Sequence, residues 1–131
     1  MRTVAIVAPA YEHQLALEGY SRLLGEALAD DGCRSVLFTR RQPAAGHLDA
    51  RVLPNWGLLD VPRIVRAIAS CQPEVVLLQY VPYLYARRGL TAVPVILALW
   101  LRRLGVRVIT FVHEAYVPLS RPKWLVVGAI Q

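Results

Sequence analysis

Residues 73–80 read Pro-Glu-Val-Val-Leu-Leu-Gln-Tyr, an apolar run opened by proline and broken near its end by a single glutamine. Continuous rather than alternating apolarity is the pattern of a strand buried on both faces, which occurs where helices cover both sides of a parallel sheet. Parallel neighbours need crossover connections, so helices are expected before and after this stretch. Upstream, Asp60 reads as an N-cap and Pro62 lies in the first turn, where its missing N–H costs nothing. Val61, Ile64, Val65 and Ile68 then line one face of a helix that ends before Pro73. Downstream, Thr91 caps a helix running to Leu104, with Arg102 and Arg103 at the end the dipole favours and Gly105 as its stop. Val106 to Val112 follows as a strand that delivers His113 and Glu114 at its carboxyl end.

Further out the same alternation continues. Thr3 to Ala8, closed by Pro9, reads as a first buried strand. Tyr20, Leu23, Leu24, Ala27 and Leu28 recur at helical spacing and Gly32 supplies a left-handed stop, which predicts a helix of about 13 residues. Arg34 to Thr39 is a second strand, Arg41 to His47 a loop, and Arg51 to Leu53 a short third strand. The expected fold is α/β, a Rossmann-like doubly wound parallel sheet with right-handed crossovers, in one domain. Pro122 to Gln131 begins a further helix without a stop signal, so the chain is expected to be truncated.

Composition narrows the function classes. In 131 residues, 56% are hydrophobic and 18% charged, which excludes a disordered chain. The longest apolar run, Ala92 to Leu101, has ten residues, against the roughly 18–20 that cross a bilayer as a helix. The seven apolar residues Val4 to Ala10 are too few for a secretory leader, so a cytoplasmic location is expected. The net charge of +6 comes from 14 Arg and one Lys against nine acids. These arginines are scattered and form no basic helix face interleaved with aromatics, so no nucleic-acid partner is expected. An anionic ligand, a membrane surface and plain solvation all remain open. The near all-round apolarity of helix 92–104 is expected to face protein or the surface of a bilayer, with Arg102, Arg103, Arg87 and Arg88 then meeting anionic headgroups. Cys33 and Cys71 have neither metal-ligand nor redox spacing, so no metal is expected and both read as free thiols.

In an open parallel sheet, ligands bind beyond the carboxyl ends of the strands. Three such ends gather chemistry here: Pro9-Ala10-Tyr11 with the loop to Gly19, Gln79-Tyr80-Val81-Pro82-Tyr83, and His113-Glu114-Ala115-Tyr116. Aromatic walls, a carboxylate, an imidazole and a helix N-terminus suit a polyhydroxylated or phosphorylated ligand. Tyr80 and Tyr83 read either as stacking platforms or as packing. His113 reads as a ligand-facing imidazole or as a strand-end histidine bonded only to backbone. Glu114 reads as an orienter of His113, an acceptor-hydroxyl ligand or a cap of the next turn. No P-loop and no G-x-G-x-x-G is present, which disfavours a flavodoxin-like nucleotide binder.

The apolar first strand, the glycine opening the first helix, Gln79-Tyr80-Val81-Pro82-Tyr83 before Arg88-Gly89, and Arg107-Val108 leading to His113-Glu114-Ala115-Tyr116 together resemble the N-terminal half of GT-B glycosyltransferases of the family 4 type. The resemblance spans nearly the whole chain. It implies that residues 1–131 are the acceptor-side Rossmann-like domain, incomplete at its C-terminus. Its partners would be a nucleotide-sugar donor, an unknown acceptor and a separate C-terminal donor-binding domain. It also implies sugar transfer without metal or cofactor, with His113 as the catalytic residue facing the transferred sugar, and Gly19, Tyr80, Tyr83 and Glu114 as substrate-binding residues. Residues 1–131 alone would then be inactive, and peripheral contact with the inner face of the membrane is a further expectation. Leu17-Glu18-Gly19-Tyr20 keeps one glycine where the family usually has two small residues, so a turn glycine and a ligand glycine both stay open. Glu18 and Glu26 have the spacing of the family's donor-half glutamate pair but fall on the first helix, where both read as helix carboxylates. From a different class, the alternatives are a non-catalytic α/β ligand-binding module or a decayed gene fragment.

Overall fold

The computed structural model describes residues 1–9, 15–43, 49–81, 84–85 and 91–113. In chain order these form β1 (Thr3–Val7), α1 (Leu15–Asp30), β2 (Arg34–Thr39), β3 (Asp49–Val52), a 3₁₀ turn (Leu58–Asp60), α2 (Val61–Ala69), β4 (Val75–Tyr80), α3 (Val93–Arg103) and β5 (Arg107–Val112). The five strands make one sheet in the order β3-β2-β1-β4-β5, and every pairing is parallel. The chain reverses its direction of travel between β1 and β4, which is the Rossmann-like doubly wound arrangement.

Register assigns each side chain to a face, because successive residues of a strand point to opposite sides. Ile6, Leu37, Leu77 and Ile109 lie in one row across β1, β2, β4 and β5, and Val7, Phe38, Leu78 and Thr110 in the next. The Ile6 row, continued by Gln79 and Phe111, faces α1, whose Tyr20 ring meets that of Phe111 edge-on at 6.4 Å. The other row faces α2 and α3, where Val61, Ile64, Val65, Ile68, Val93, Leu97 and Leu101 are buried. Arg51 on β3 belongs to this second face and donates to Ser70 Oγ, just past α2, at 3.1 Å.

The helix stops obey the sequence signals. Gly32 (φ +75°) and Gly105 (φ +81°) are left-handed. Beyond them, Cys33 N–H donates to Leu28 O at 2.8 Å and Val106 N–H to Leu101 O at 3.2 Å, closing a Schellman motif at the end of α1 and of α3. The predicted face of α2 is the one buried. Asp60 differs from expectation: its carboxylate does not cap α2. Oδ2 accepts from Gly57 N–H at 2.9 Å and Oδ1 from Arg63 at 3.0 Å, because the 3₁₀ turn preceding the helix has its own orphan donors. Burial of α3 is also one-sided, since Val95, Leu99, Trp100 and Leu104 are exposed. The helix expected from Pro122 lies outside the described residues.

At both left-handed glycines an added Cβ meets nothing within 4 Å, so the penalty of a side chain is purely conformational. Gly105→Ala is therefore expected to cost about 1–2 kcal/mol, read as a lowered urea midpoint with unchanged slope. A loss under half that would show that the turn relaxes.

Candidate functional site at the carboxyl edge of the sheet

The carboxyl ends of β1, β3 and β4 are tied together by one side chain. Arg40, one residue beyond β2, donates from Nε to Pro9 O (3.2 Å), from Nη1 to Pro54 O (3.4 Å) and from Nη2 to Leu84 O (3.1 Å). Its guanidinium thus joins the segments that follow β1, β3 and β4. Next to it, Arg41 Nη2 meets Glu18 Oε2 on α1 at 2.8 Å, with both side chains largely buried. Glu26 pairs with Arg22 at 2.7 Å, so both glutamates of the eight-residue spacing are engaged in ion pairs of α1.

On the α1 face, β4 and β5 present a second constellation. His113 N–H donates to Tyr80 O at 3.0 Å, extending the β4–β5 ladder by one bond. Its ring turns back, placing Nε2 2.6 Å from Gln79 Oε1, and stands edge-on to the Tyr20 ring at 5.1 Å. In the tautomer with its proton on Nε2 the ring donates to this oxygen, and Nδ1 is then its acceptor. Gln79 is fully buried, and its backbone O accepts from Tyr85 Oη at 2.8 Å. Three buried polar atoms have no partner among the described residues: Gln79 Nε2, Ser21 Oγ on α1 and Arg41 Nε. Buried polar atoms in native proteins are met by protein, water or ligand, and these three lie on α1 or against it.

Of the sequence-predicted site residues, His113 stands at the carboxyl end of β5 as expected, with its ring bonded to a side chain rather than to backbone. Gly19 requires a correction. It lies in the second turn of α1, which starts at Leu15, and not in a loop opening the helix. Leu17 is buried, and its burial outweighs the modest helix cost of one glycine, about 1 kcal/mol. The Gly19 amide is therefore behind the helix N-terminus. Tyr80 shares the end of β4, but pleat alternation turns its side chain to the α2–α3 face, away from Gln79. Burial raises its phenol pKa. Tyr83 and Glu114 lie outside the described residues. Tyr20, Ser21, Arg40 and Arg41 were not singled out as site residues by sequence reasoning, and Gln79 was named only as part of the segment at the end of β4. Gln79 had a signal, as the only polar residue inside β4. Among the described residues no group of three or more His, Cys, Asp or Glu side chains is placed to hold a metal ion, and no helix is long and apolar enough to cross a membrane. Comparison with protein-family models, curated proteins and solved structures yielded no match.

Two measurements follow from this geometry. Burial, and then the neighbouring Tyr80, pushes the Tyr85 phenol well above its ordinary value of 10.0. A raised folded pKa means that the stabilisation is complete below pH 10 and is lost as pH climbs above it, where only the unfolded chain ionises. Tyr85→Phe is expected to flatten the alkaline limb of a stability profile; an unchanged limb would place the titration elsewhere. Gln79→Leu removes a buried amide with an unpaired Nε2 while His113, at the surface, turns to water. Stability should change by less than about 1 kcal/mol, while the His113 ring resonances average towards those of a free side chain. A loss of several kcal/mol would show that the amide is fully satisfied.

Proposed function

We propose that this chain is the acceptor-side, N-terminal half of a GT-B glycosyltransferase of the family 4 type. In this reading it works with a donor-binding half to move a sugar from a nucleotide-sugar to an acceptor. The observation that carries the reading is His113 at the carboxyl end of β5, with Nε2 held by the buried Gln79 amide and one ring edge against Tyr20. A histidine held in this way has a defined orientation, as a group that hydrogen-bonds a sugar hydroxyl during transfer requires. The order of the motif-bearing segments along the chain supports the same reading, as does the position of Gln79 and His113 at the edge where doubly wound sheets bind ligands.

The mechanism this reading assigns to the chain is positional. His113 Nδ1 accepts from a hydroxyl of the sugar, Gln79 keeps the ring from rotating, and the Tyr20 ring closes one side against water. Gln79 Nε2 and Ser21 Oγ supply further polar contacts if the ligand or an ordered water reaches them. The donor's nucleotide would be gripped by the other half. Residues 1–131 alone then offer too few contacts to offset the several kcal/mol lost on immobilising a ligand.

In the protein carrying both halves, His113→Ala is expected to leave the melting temperature within a few degrees and to lower sugar transfer on the order of 10²-fold. Unchanged transfer would end the proposal. Calorimetric titration of residues 1–131 with uridine, guanosine and thymidine diphosphate sugars is expected to show millimolar binding or none. Micromolar affinity would instead favour a self-sufficient ligand-binding module.

A further inference from the structure

The positive charge of this chain is segregated. Residues 1–60 hold six arginines against seven acids, whereas residues 61–113 hold seven arginines and a single acid, Glu74. Neither α2 nor α3 contains a carboxylate. Three arginines of the first part have acidic partners within it, Arg22 with Glu26, Arg34 with Asp49 and Arg41 with Glu18, and Arg2 reaches Glu74. On α2, Arg63 pairs with Asp60, but Arg66, Arg102 and Arg103 have no carboxylate partner among the described residues.

These unpaired guanidiniums surround an apolar surface. Between α2 and α3 runs an open groove of about 460 Å³, lined by Val65, Ala69, Trp100 and Leu104 with Arg66 and Arg103 among its walls. It continues onto the outer row of α3, where Val95 and Leu99 are one turn apart and both at least half exposed, while Trp100 is 41% and Leu104 59% exposed. Tryptophan, leucine and arginine side by side, with no acid on either helix, form the combination that rests in a headgroup layer. There the apolar groups enter the acyl boundary and the arginines reach lipid phosphates. A face that joins apolar groups to cations and holds no acid complements a surface that is anionic outside and apolar beneath, as a headgroup layer is.

We propose that the α2–α3 face docks on an anionic membrane surface, inserting Leu99, Trp100 and Leu104 between Arg66, Arg102 and Arg103. The inference is independent of the glycosyltransferase reading, since it uses none of the residues at the carboxyl edge. Docking by this face leaves that edge clear, because strand ends and helix faces lie on different sides of the fold.

The test is flotation of the full chain with vesicles of phosphatidylcholine alone and of phosphatidylcholine with phosphatidylglycerol. Binding is expected only to the anionic vesicles, falling as salt rises. The double variant Arg66→Glu, Arg103→Glu should lower the bound fraction at least tenfold. Leu99→Ser with Leu104→Ser should lower it several-fold at unchanged charge. Arg22→Glu with Arg34→Glu makes the same change of net charge elsewhere and should leave most of the binding. All six positions are at or near the surface, and matching thermal melts would confirm that each variant folds. Absence of binding to anionic vesicles overturns the proposal, as does equal loss in the Arg22, Arg34 control. So does retention on polyglutamate without vesicle binding, which would assign the face to an acidic protein. A lipid-free dimer that the Arg66, Arg103 variant dissolves would assign it to a second copy and overturn it too.

Discussion

β1 is closed on every side. Both of its edges are hydrogen-bonded, to β2 and to β4, and Ala5, Ile6 and Val7 are fully buried. A strand with no free edge and no free face cannot be satisfied by local contacts, so its neighbours must arrive from distant sequence by crossovers. Those crossovers must place helices above and below. The position of α1 on one face and of α2 and α3 on the other follows from that single burial. So does the alignment of all five carboxyl ends along one edge, where Arg40 then has three carbonyls within reach. The candidate site thus depends on β1 without including any of its side chains.

At that edge the structural and the chemical demands are met by neighbouring residues of opposite orientation. Tyr80 and Gln79 are consecutive, yet one side chain joins the α2–α3 layer and the other joins His113. Arg40 and Arg41 are likewise consecutive, one spent on backbone carbonyls and the other on Glu18. In each pair the alternation of a strand or its extension sends neighbouring side chains to different partners. Cys71 belongs wholly to the scaffold. Its Sγ donates to Ile68 O at 3.1 Å, and burial raises the thiol pKa, which keeps it in the unreactive form.

Much of the fold was legible because its signals are local. The bounds of β2, the buried face of α2 and both glycine stops depend on residues within a turn or two of one another. The start of α1 was not legible, since Gly19 reads as a breaker and only the tertiary burial of Leu17 overrides it. Asp60 was assigned to the right place but the wrong turn, as a 3₁₀ segment ahead of a helix competes for the same carboxylate. For the site, His113 could be placed because strand ends are readable. Its partner could not, because Gln79 lies 34 residues earlier and only register brings the two together. Tyr20 looked like one more apolar position on a helix face. Its meeting with the imidazole depends on how far α1 leans across the sheet, which periodicity does not encode.

The position of β5, with β3 one of the two edges of the sheet among the described strands, has a consequence for motion. β1 is locked from both sides, whereas β5 is paired on one edge only and several of its side chains face solvent. Protection of backbone amides against exchange with solvent deuterium should therefore fall from the middle of the sheet outward, since the strand with the fewest buried contacts opens at the least cost. His113 hangs on that strand, held by its bond to Tyr80 O and its grip on Gln79. A molecule that bridges His113 to β4 would be felt as slower exchange along β5, so an edge strand of the sheet can act as its reporter of occupancy.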